Sequence, residues 1–140
     1  MLRSVDLKDY VQQDPITISP QSNLLEAVQL ILLHKISGVC VVDEKKQLLG
    51  ILSELDCLRG ILGATYNQSG VGQVSEYMTT EIDVATLGED IINVANEMMA
   101  KQQRRRPVVE GGKLIGQITC RQLLNAVKEF SDLEKLHTHK

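Results

Sequence analysis

Residues 39–58 read V-C-V-V-D-E-K-K-Q-L-L-G-I-L-S-E-L-D-C-L, and residues 106–124 read R-P-V-V-E-G-G-K-L-I-G-Q-I-T-C-R-Q-L-L. Val41-Val42 falls on Val108-Val109 at an offset of 67, and Gly50 falls on Gly116 at an offset of 66, so the second turn is one residue shorter. Upstream, Pro15-Ile-Thr-Ile18 parallels Glu81-Ile-Asp-Val84, and Asn23-Leu-Leu-Glu26 parallels Asp90-Ile-Ile-Asn93. Self-similarity at this period marks a duplicated supersecondary unit. One such unit is too small to bury a good core by itself, so the two halves are expected to pack on each other. A cleft between related halves is a natural place for a ligand.

Each repeat reads strand, helix, strand, strand, helix. In the first, Ile16 to Ser19 is a short strand. Asn23 caps a helix with Glu26 at the third position, the pattern of a capping box. Leu24, Leu25, Val28, Ile31 and Leu32 recur at helical spacing and are expected to face inward. Gly38 to Val42 and Leu48 to Ser53 form a hairpin around the polar turn Asp43 to Gln47. A helix follows from Glu54 to about Gly63. In the second repeat, Ile82 to Ala85 is the first strand. A helix runs from Asp90 to about Gln102 with Ile91, Ile92, Val94, Ala95, Met98 and Met99 inward. Arg105 to Val109 and Leu114 to Thr119 pair around Glu110-Gly-Gly-Lys113, where glycines permit positive φ. Arg121 to Phe130 is the last helix. Short helices at Val5 to Val11 and Gln73 to Thr79 lead into the repeats. The domains are then 1–64 for repeat one with its leading helix, 65–72 for a linker rich in turn residues, 73–130 for repeat two and 131–140 for a tail.

The 140 residues carry a net charge of −3 with no Trp, one Phe and three Tyr. This is a poor composition for binding a nucleic-acid backbone or stacking on bases. The chain start lacks the apolar run of a signal peptide. No stretch approaches the ~18 apolar residues of a membrane span. The expectation is a cytoplasmic protein with neither nucleic acid nor membrane as partner. Cys40, Cys57 and Cys120 are odd in number and widely spaced, which argues against a disulfide framework or a zinc cluster. Cys40 sits in an apolar strand as a small hydrophobe. His137 and His139 read as a solvated tail, and no metal site is expected.

The sharpest chemistry lies in Gly50-Ile-Leu-Ser53-Glu-Leu-Asp56. A hydroxyl at a strand end and a carboxylate three residues later meet on the first turn of a helix. That carboxylate can accept hydrogen bonds from two neighbouring ribose hydroxyls. The same spacing is also a capping box, with an acid favoured by the helix dipole. In the second repeat, Thr119-Cys-Arg-Gln122 keeps the box and loses the charge. Arg104-Arg105-Arg106 opens a core strand, where alternation prevents all three side chains from reaching bulk water. Arginine's planar fork suits phosphate. Repeat one has the uncharged Ser37-Gly38-Val39 at that place. No phosphate-binding glycine loop, zinc-protease motif or nucleophile elbow is present, so no catalysis is expected.

The double pattern P/C-V-V…L-x-G-h-h-[ST]-x-x-D, with h apolar, resembles a tandem pair of cystathionine β-synthase (CBS) domains, a Bateman module. It covers about residues 5–130, in register twice. The resemblance implies an α/β (α+β) fold of two β-α-β-β-α repeats packed with pseudo-two-fold symmetry. It implies a non-catalytic ligand-sensing module that binds an adenosine compound in the cleft between repeats. Carried onto this chain, Ser53 and Asp56 hold the ribose. Ile16, Thr17, Val39, Cys40 and Val41 flank the adenine. Arg104 and Arg105 meet the phosphates. A weaker second site would use Asp83, Pro107, Thr119 and Gln122, with Asp83 standing where Thr17 stands. It also implies a homodimer of four repeats. AMP, ADP or ATP is the expected ligand, and an unknown protein in trans the expected target. The alternative is a structural dimerisation module with a vestigial ligand site.

Overall fold

The structure, a computed structural model, describes residues 5–66 and 70–138, with side chains as far as Glu129. Residues 67–69 of the linker, the side chain of His137, and His139 lie outside the described residues. The fold is mixed α+β. Its strands are β1 (Gln12–Gln13), β2 (Thr17–Ile18), β3 (Gly38–Val42), β4 (Leu48–Ser53), β5 (Arg105–Glu110) and β6 (Lys113–Thr119). Its helices are α1 (Leu24–His34), α2 (Glu54–Tyr66), α3 (Ile91–Ala100) and α4 (Cys120–Thr138). The strands form two three-stranded sheets, β2-β3-β4 and β1-β6-β5.

The chain divides into two compact units. Unit 1 is Met1–Pro15, Asp83–Gly111 and Ile115–Lys140, and unit 2 is Ile16–Ile82 with Gly112–Leu114. The segment leading each repeat is therefore built into the unit of the other repeat, whereas the sequence reading groups residues 1–15 with repeat one. Backbone hydrogen bonds give the reason. In unit 1, Leu7 N donates to Glu89 O and Ile91 N to Val5 O. In unit 2, Val74 N donates to Ser22 O and Leu24 N to Gly72 O, the same bonds 67 residues apart. The leading helices are single 3-10 turns, Leu7–Asp9 and Val74–Glu76, and each buries one side chain, Leu7 or Val74.

The core of unit 2 gathers Ile18, Leu24, Ala27, Ile31, Val39, Val41, Leu52, Cys57 and Val74. Helix α1 buries Leu24, Ala27 and Ile31, while Leu25 and Leu32, expected inward, are exposed. Likewise α3 buries Ile91, Val94 and Met98, and Ile92 and Met99 are exposed. A helix covering one sheet needs an apolar stripe of only ~100°; these four residues lie outside it. Lys35 and Gln102, at equivalent points just past α1 and α3, both take positive φ, 54° and 56°.

Both hairpins form as the sequence predicts. β3 pairs antiparallel with β4, Gly38 opposite Ser53. The second turn is made by Gly111 and Gly112 at φ 58° and 80°, a two-residue loop that requires positive φ twice. Three elements differ. The strand expected at Ile82 to Ala85 contracts to one parallel bridge, Ala85 to Val108. Helix α2 runs on to Tyr66, into the expected linker, and α4 runs on to Thr138, through the expected tail. Strand β1, which no apolar alternation announces, pairs with β6 with Gln12 opposite Gln117.

The glycine shared by both repeats has a packing role. A Cβ on Gly116 would collide with Val11 Cγ1 and meet Gln12 O at 2.7 Å. A Cβ on Gly50 would meet Met78 Sδ at 2.7 Å and Thr79 O at 2.9 Å. In each unit the leading segment crosses directly over the glycine.

Candidate functional site

Unit 2 brings the expected ribose and adenine residues onto one sheet. Thr17 pairs with Cys40 and Ile18 with Val41 across the parallel strands. Gly38 faces Ser53 at the start of α2. Val39, Cys40 and Val41 are buried, so their side chains serve the core. What they can offer a ligand is backbone. Ile16 is half-buried and Thr17 exposed. Thr17 also lines an open hollow of about 580 Å³ with Ser19, Gln21, Asp43, Lys45 and Leu49 among its walls. Asp43 Oδ1 there accepts from Lys45 N and Gln47 N, which holds the turn of the hairpin.

Ser53 and Asp56 form the capping box in full. Ser53 N donates to Asp56 Oδ2 at 3.0 Å, and Asp56 N donates to Ser53 Oγ at 3.0 Å. Asp56 Oδ1 stands 3.6 Å from Arg59 Nη1, beyond a good hydrogen bond. The carboxylate is 13% exposed and the Arg59 side chain 73% exposed. In unit 1, Thr119 N donates to Gln122 Oε1 at 2.9 Å, and Gln122 N donates to Thr119 Oγ1 at 3.2 Å. Capping therefore operates in both units, and the charge is present in one. Beside Asp56, burial raises the pKa of Cys57, with Asp56 and Glu54 adding to the rise.

Arg104 and Arg105 belong to unit 1, at the start of β5; Arg104 is exposed and Arg105 half-buried. Arg106 separates from them. It is 2% exposed, donating from Nη1 to Glu97 Oε1 at 2.9 Å and from Nη2 to Gln103 Oε1 at 2.8 Å. Sequence reading placed Arg106 in a basic run and missed this role; its one signal is position, directly before the core residues Pro107 and Val108. The amide of Gln103 extends the network, donating from Nε2 to Asp83 Oδ2 at 2.6 Å. Lys101 Nζ donates to Asp83 Oδ1 at 2.8 Å. The bonds from Lys101 and then Gln103 hold Asp83 below its ordinary pKa.

The register corrects one equivalence. Ala85 pairs with Val108 in unit 1 as Ile18 pairs with Val41 in unit 2. Both steps are 67 residues, so Val84 stands where Thr17 stands and Asp83 where Ile16 stands. A slip of one residue along a strand turns a side chain to the other face. The upstream match Pro15-Ile-Thr-Ile18 to Glu81-Ile-Asp-Val84 is one residue out. Pro107, also assigned to the second site, is fully buried, and its carbonyl accepts from Ala85 N at 2.8 Å.

Among the described residues no cluster of three or more His, Cys, Asp or Glu is placed to hold a metal ion. No described helix is long and apolar enough to cross a membrane. None of the three cysteines forms a disulfide.

Residues 7–63 and 74–129 each match the CBS domain. The CBS domain-containing protein YhcV of Bacillus subtilis is 31% identical over 129 residues, 90% of this chain and 86% of that protein. The inosine-5'-monophosphate dehydrogenase of Aquifex aeolicus is 36% identical over 118 residues, 82% of this chain and 23% of the dehydrogenase. This chain spans 39%, 23% and 41% of the lengths of three of the curated relatives it matches. Among solved structures, CBSX2, a CBS-pair protein of Arabidopsis thaliana, is similar in its complex with AMP. The TM-score is 0.81 at 23% identity, over 91% of this chain and 99% of that one. The CBS domain pair of protein MJ0100, solved with 5'-methylthioadenosine and S-adenosyl-L-methionine, gives a TM-score of 0.75 at 24% identity, over 89% of this chain and 97% of that one. These two likenesses are ones of fold. With both repeats matched and the repeat visible in each unit's hydrogen bonds, this chain belongs to the CBS domain family as a tandem pair.

Proposed function

We propose that this chain is a non-catalytic regulatory sensor of an adenosine-containing nucleotide, AMP, ADP or ATP, and acts on a separate protein as a homodimer. Ser53 and Asp56 hold the ribose, the peptide groups around Ile16, Thr17 and Val39 to Val41 receive the adenine, and Arg104 and Arg105 read the phosphates. One observation carries the reading. Asp56 spends Oδ2 on the cap and keeps Oδ1 at 3.6 Å from an exposed arginine, able to take a ribose hydroxyl. Gln122 has no such charge, so one dominant site per chain follows. The AMP complex of CBSX2 supports an adenosine ligand for a pair of this fold.

The capping box favours a second reading, a dimerisation module with a vestigial site, because it explains Ser53 and Asp56 without a ligand. Two measurements separate them. Denaturing the purified protein and identifying any released small molecule by mass spectrometry tests for a resident nucleotide. Titration calorimetry with AMP then tests the clamp. Asp56→Asn keeps a capping acceptor and removes the charge, so affinity should fall about ten- to a hundredfold with little change in melting temperature. Gln122→Ala should leave affinity unchanged. Binding weakened by Gln122→Ala and not by Asp56→Asn would invert the assignment. No binding of AMP, ADP or ATP to the native chain would favour the vestigial site.

A further inference from the structure

The cores of the two units correspond residue for residue, with one exception. Each buried core residue named for unit 2 has an apolar counterpart in the core of unit 1, except Val39, whose counterpart is Arg106. The exchange extends to three more places. Ile16, Leu30 and Ile36 pack against the core of unit 2, and the same places in unit 1, 67 residues on, hold Asp83, Glu97 and Gln103. What is an apolar plug in unit 2 is a hydrogen-bonded polar cluster in unit 1.

Gln103 is the hub of that cluster. Its Oε1 accepts from Arg106 Nη2 at 2.8 Å, and its Nε2 donates to Asp83 Oδ2 at 2.6 Å. Its backbone N donates to Met98 O at 2.9 Å, and its carbonyl accepts from Cys120 Sγ at 3.5 Å. The next carbonyl, that of Arg104, accepts from Cys120 N at 2.9 Å. Unit 2 has the matching backbone bonds, Ile36 N to Ile31 O at 3.2 Å and Glu54 N to Ser37 O at 3.0 Å. The side-chain bonds of Gln103 are therefore what unit 1 adds, since Ile36 can make none. They come just after Gln102, which has φ 56°, and directly before Arg104 and Arg105. In unit 2 the uncharged Ser37 and Gly38 follow Ile36.

We propose that Gln103 is a positioning residue for anion recognition: tied to Arg106 on one side and Asp83 on the other, it fixes the strand entrance from which Arg104 and Arg105 reach a phosphate. The proposal rests on the phosphate reading of those arginines in the preceding section and adds what orders them. A flexible cation loses much of its attraction for a ligand to the entropy of being ordered. A binding group keeps its geometry when the residues supporting it are locked by their own hydrogen bonds. Burying Arg106 calls for an opposite charge, and Glu97 supplies one at 2.9 Å. The amide of Gln103 and its tie to Asp83 go beyond that need.

Calorimetry with AMP and with adenosine tests this, because a merely structural residue would move both alike. Gln103→Ile installs the residue that unit 2 has at this place. It should weaken AMP about three- to tenfold and adenosine by less than about twofold. Gln103→Glu alone sets a carboxylate against Asp83 and should act in the same way. Combined with Asp83→Asn, it exchanges donor and acceptor across the same bond: the new amide donates, and the new carboxylate accepts from it and from Arg106. AMP affinity should then return to within about twofold of the native chain. If Gln103→Ile does not fold, Gln103→Glu with and without Asp83→Asn decides the matter. No loss on substitution, equal losses for AMP and adenosine, or no recovery in the double variant would each overturn the positioning role. Arg104→Ala separates that failure from failure of the phosphate reading. A selective loss of AMP affinity in Arg104→Ala, with the Gln103 variants unchanged, removes the positioning role alone. No binding of AMP, or an AMP-to-adenosine ratio unmoved by Arg104→Ala and Arg105→Ala, removes both.

Discussion

Arg106 and Glu97 form a lopsided ion pair: the guanidinium is 2% exposed and the carboxylate 52% exposed, with 2.9 Å between Nη1 and Oε1. Gln103 takes a second nitrogen, and Nε has no hydrogen-bond partner among the described residues. Removing one partner of a buried pair leaves an uncompensated charge, whereas an apolar replacement removes the problem. Glu97→Ala should therefore destabilise unit 1 by about 1–3 kcal/mol, reduced by the carboxylate's access to water. Arg106→Met should cost less, or stabilise. Thermal melting of the two variants gives the order, and the reverse order would mean that the guanidinium's other contacts matter more than its charge.

Asp83 makes acid stability measurable at one residue. Its folded pKa lies below the ordinary value of 3.8 because Lys101 and Gln103 donate to the carboxylate. A depressed folded pKa stabilises the fold above the unfolded value and loses that contribution as pH falls through the folded value. Asp83→Asn should be less stable than the native chain at pH 7. The gap should narrow as pH drops below about 4. Denaturant melts between pH 3 and 7 follow it, and a gap constant over that range would remove the carboxylate's charge from the account.

Gly116 and Gly63 should respond oppositely to alanine. At Gly116 the new methyl collides with Val11 and the Gln12 carbonyl, so Gly116→Ala should cost about 1–3 kcal/mol. Gly63 lies within α2 with nothing within 4 Å of an added Cβ. There alanine lowers the entropy of the unfolded chain and favours helix, for a gain of about 0.5–1 kcal/mol. Urea midpoints for both variants settle the signs.

Charge on the ligand should decide what Arg104 and Arg105 are worth. If they read phosphate, Arg104→Ala and Arg105→Ala weaken AMP about tenfold or more and leave adenosine nearly unchanged. Added salt should mimic part of the loss. Equal losses for nucleotide and nucleoside in calorimetry would make the arginines structural.

Much of the fold was legible in the sequence because its strongest signals are local. The hairpin strands Gly38–Val42 and Leu48–Ser53 follow from β-branched runs around a polar turn, and Gly111-Gly112 from the φ that turn needs. What escaped depends on partners distant in sequence. Gln12 joins a sheet because Gln117 is there, and nothing in its own residue type says so. The Ile82 to Ala85 segment shrinks to a single bridge through pairing that periodicity cannot see. Leu25, Leu32, Ile92 and Met99 read as core because helical spacing finds apolar residues without distinguishing a narrow stripe from a broad one. At the candidate site, the Ser53–Asp56 and Thr119–Gln122 boxes were visible as motifs. The fate of Arg106 was not, since strand alternation separates it from Arg105 without naming Glu97 and Gln103 as its partners.

The interleaving of leading segments with the opposite repeat also bears on how the protein is made. Gln117 donates to Gln12, 105 positions earlier in the chain, and Leu7 bonds to Glu89. At a synthesis rate of about 5–20 residues per second, the N-terminal segment waits roughly 5–20 s for β6 to be polymerised, before any delay in the ribosomal tunnel. Unit 2 reaches its last leading-segment bond, Thr79 to Ile51, earlier. The segment around Gln12, made early, is thus among the last to find its place, and until then β1 is a strand edge looking for a partner.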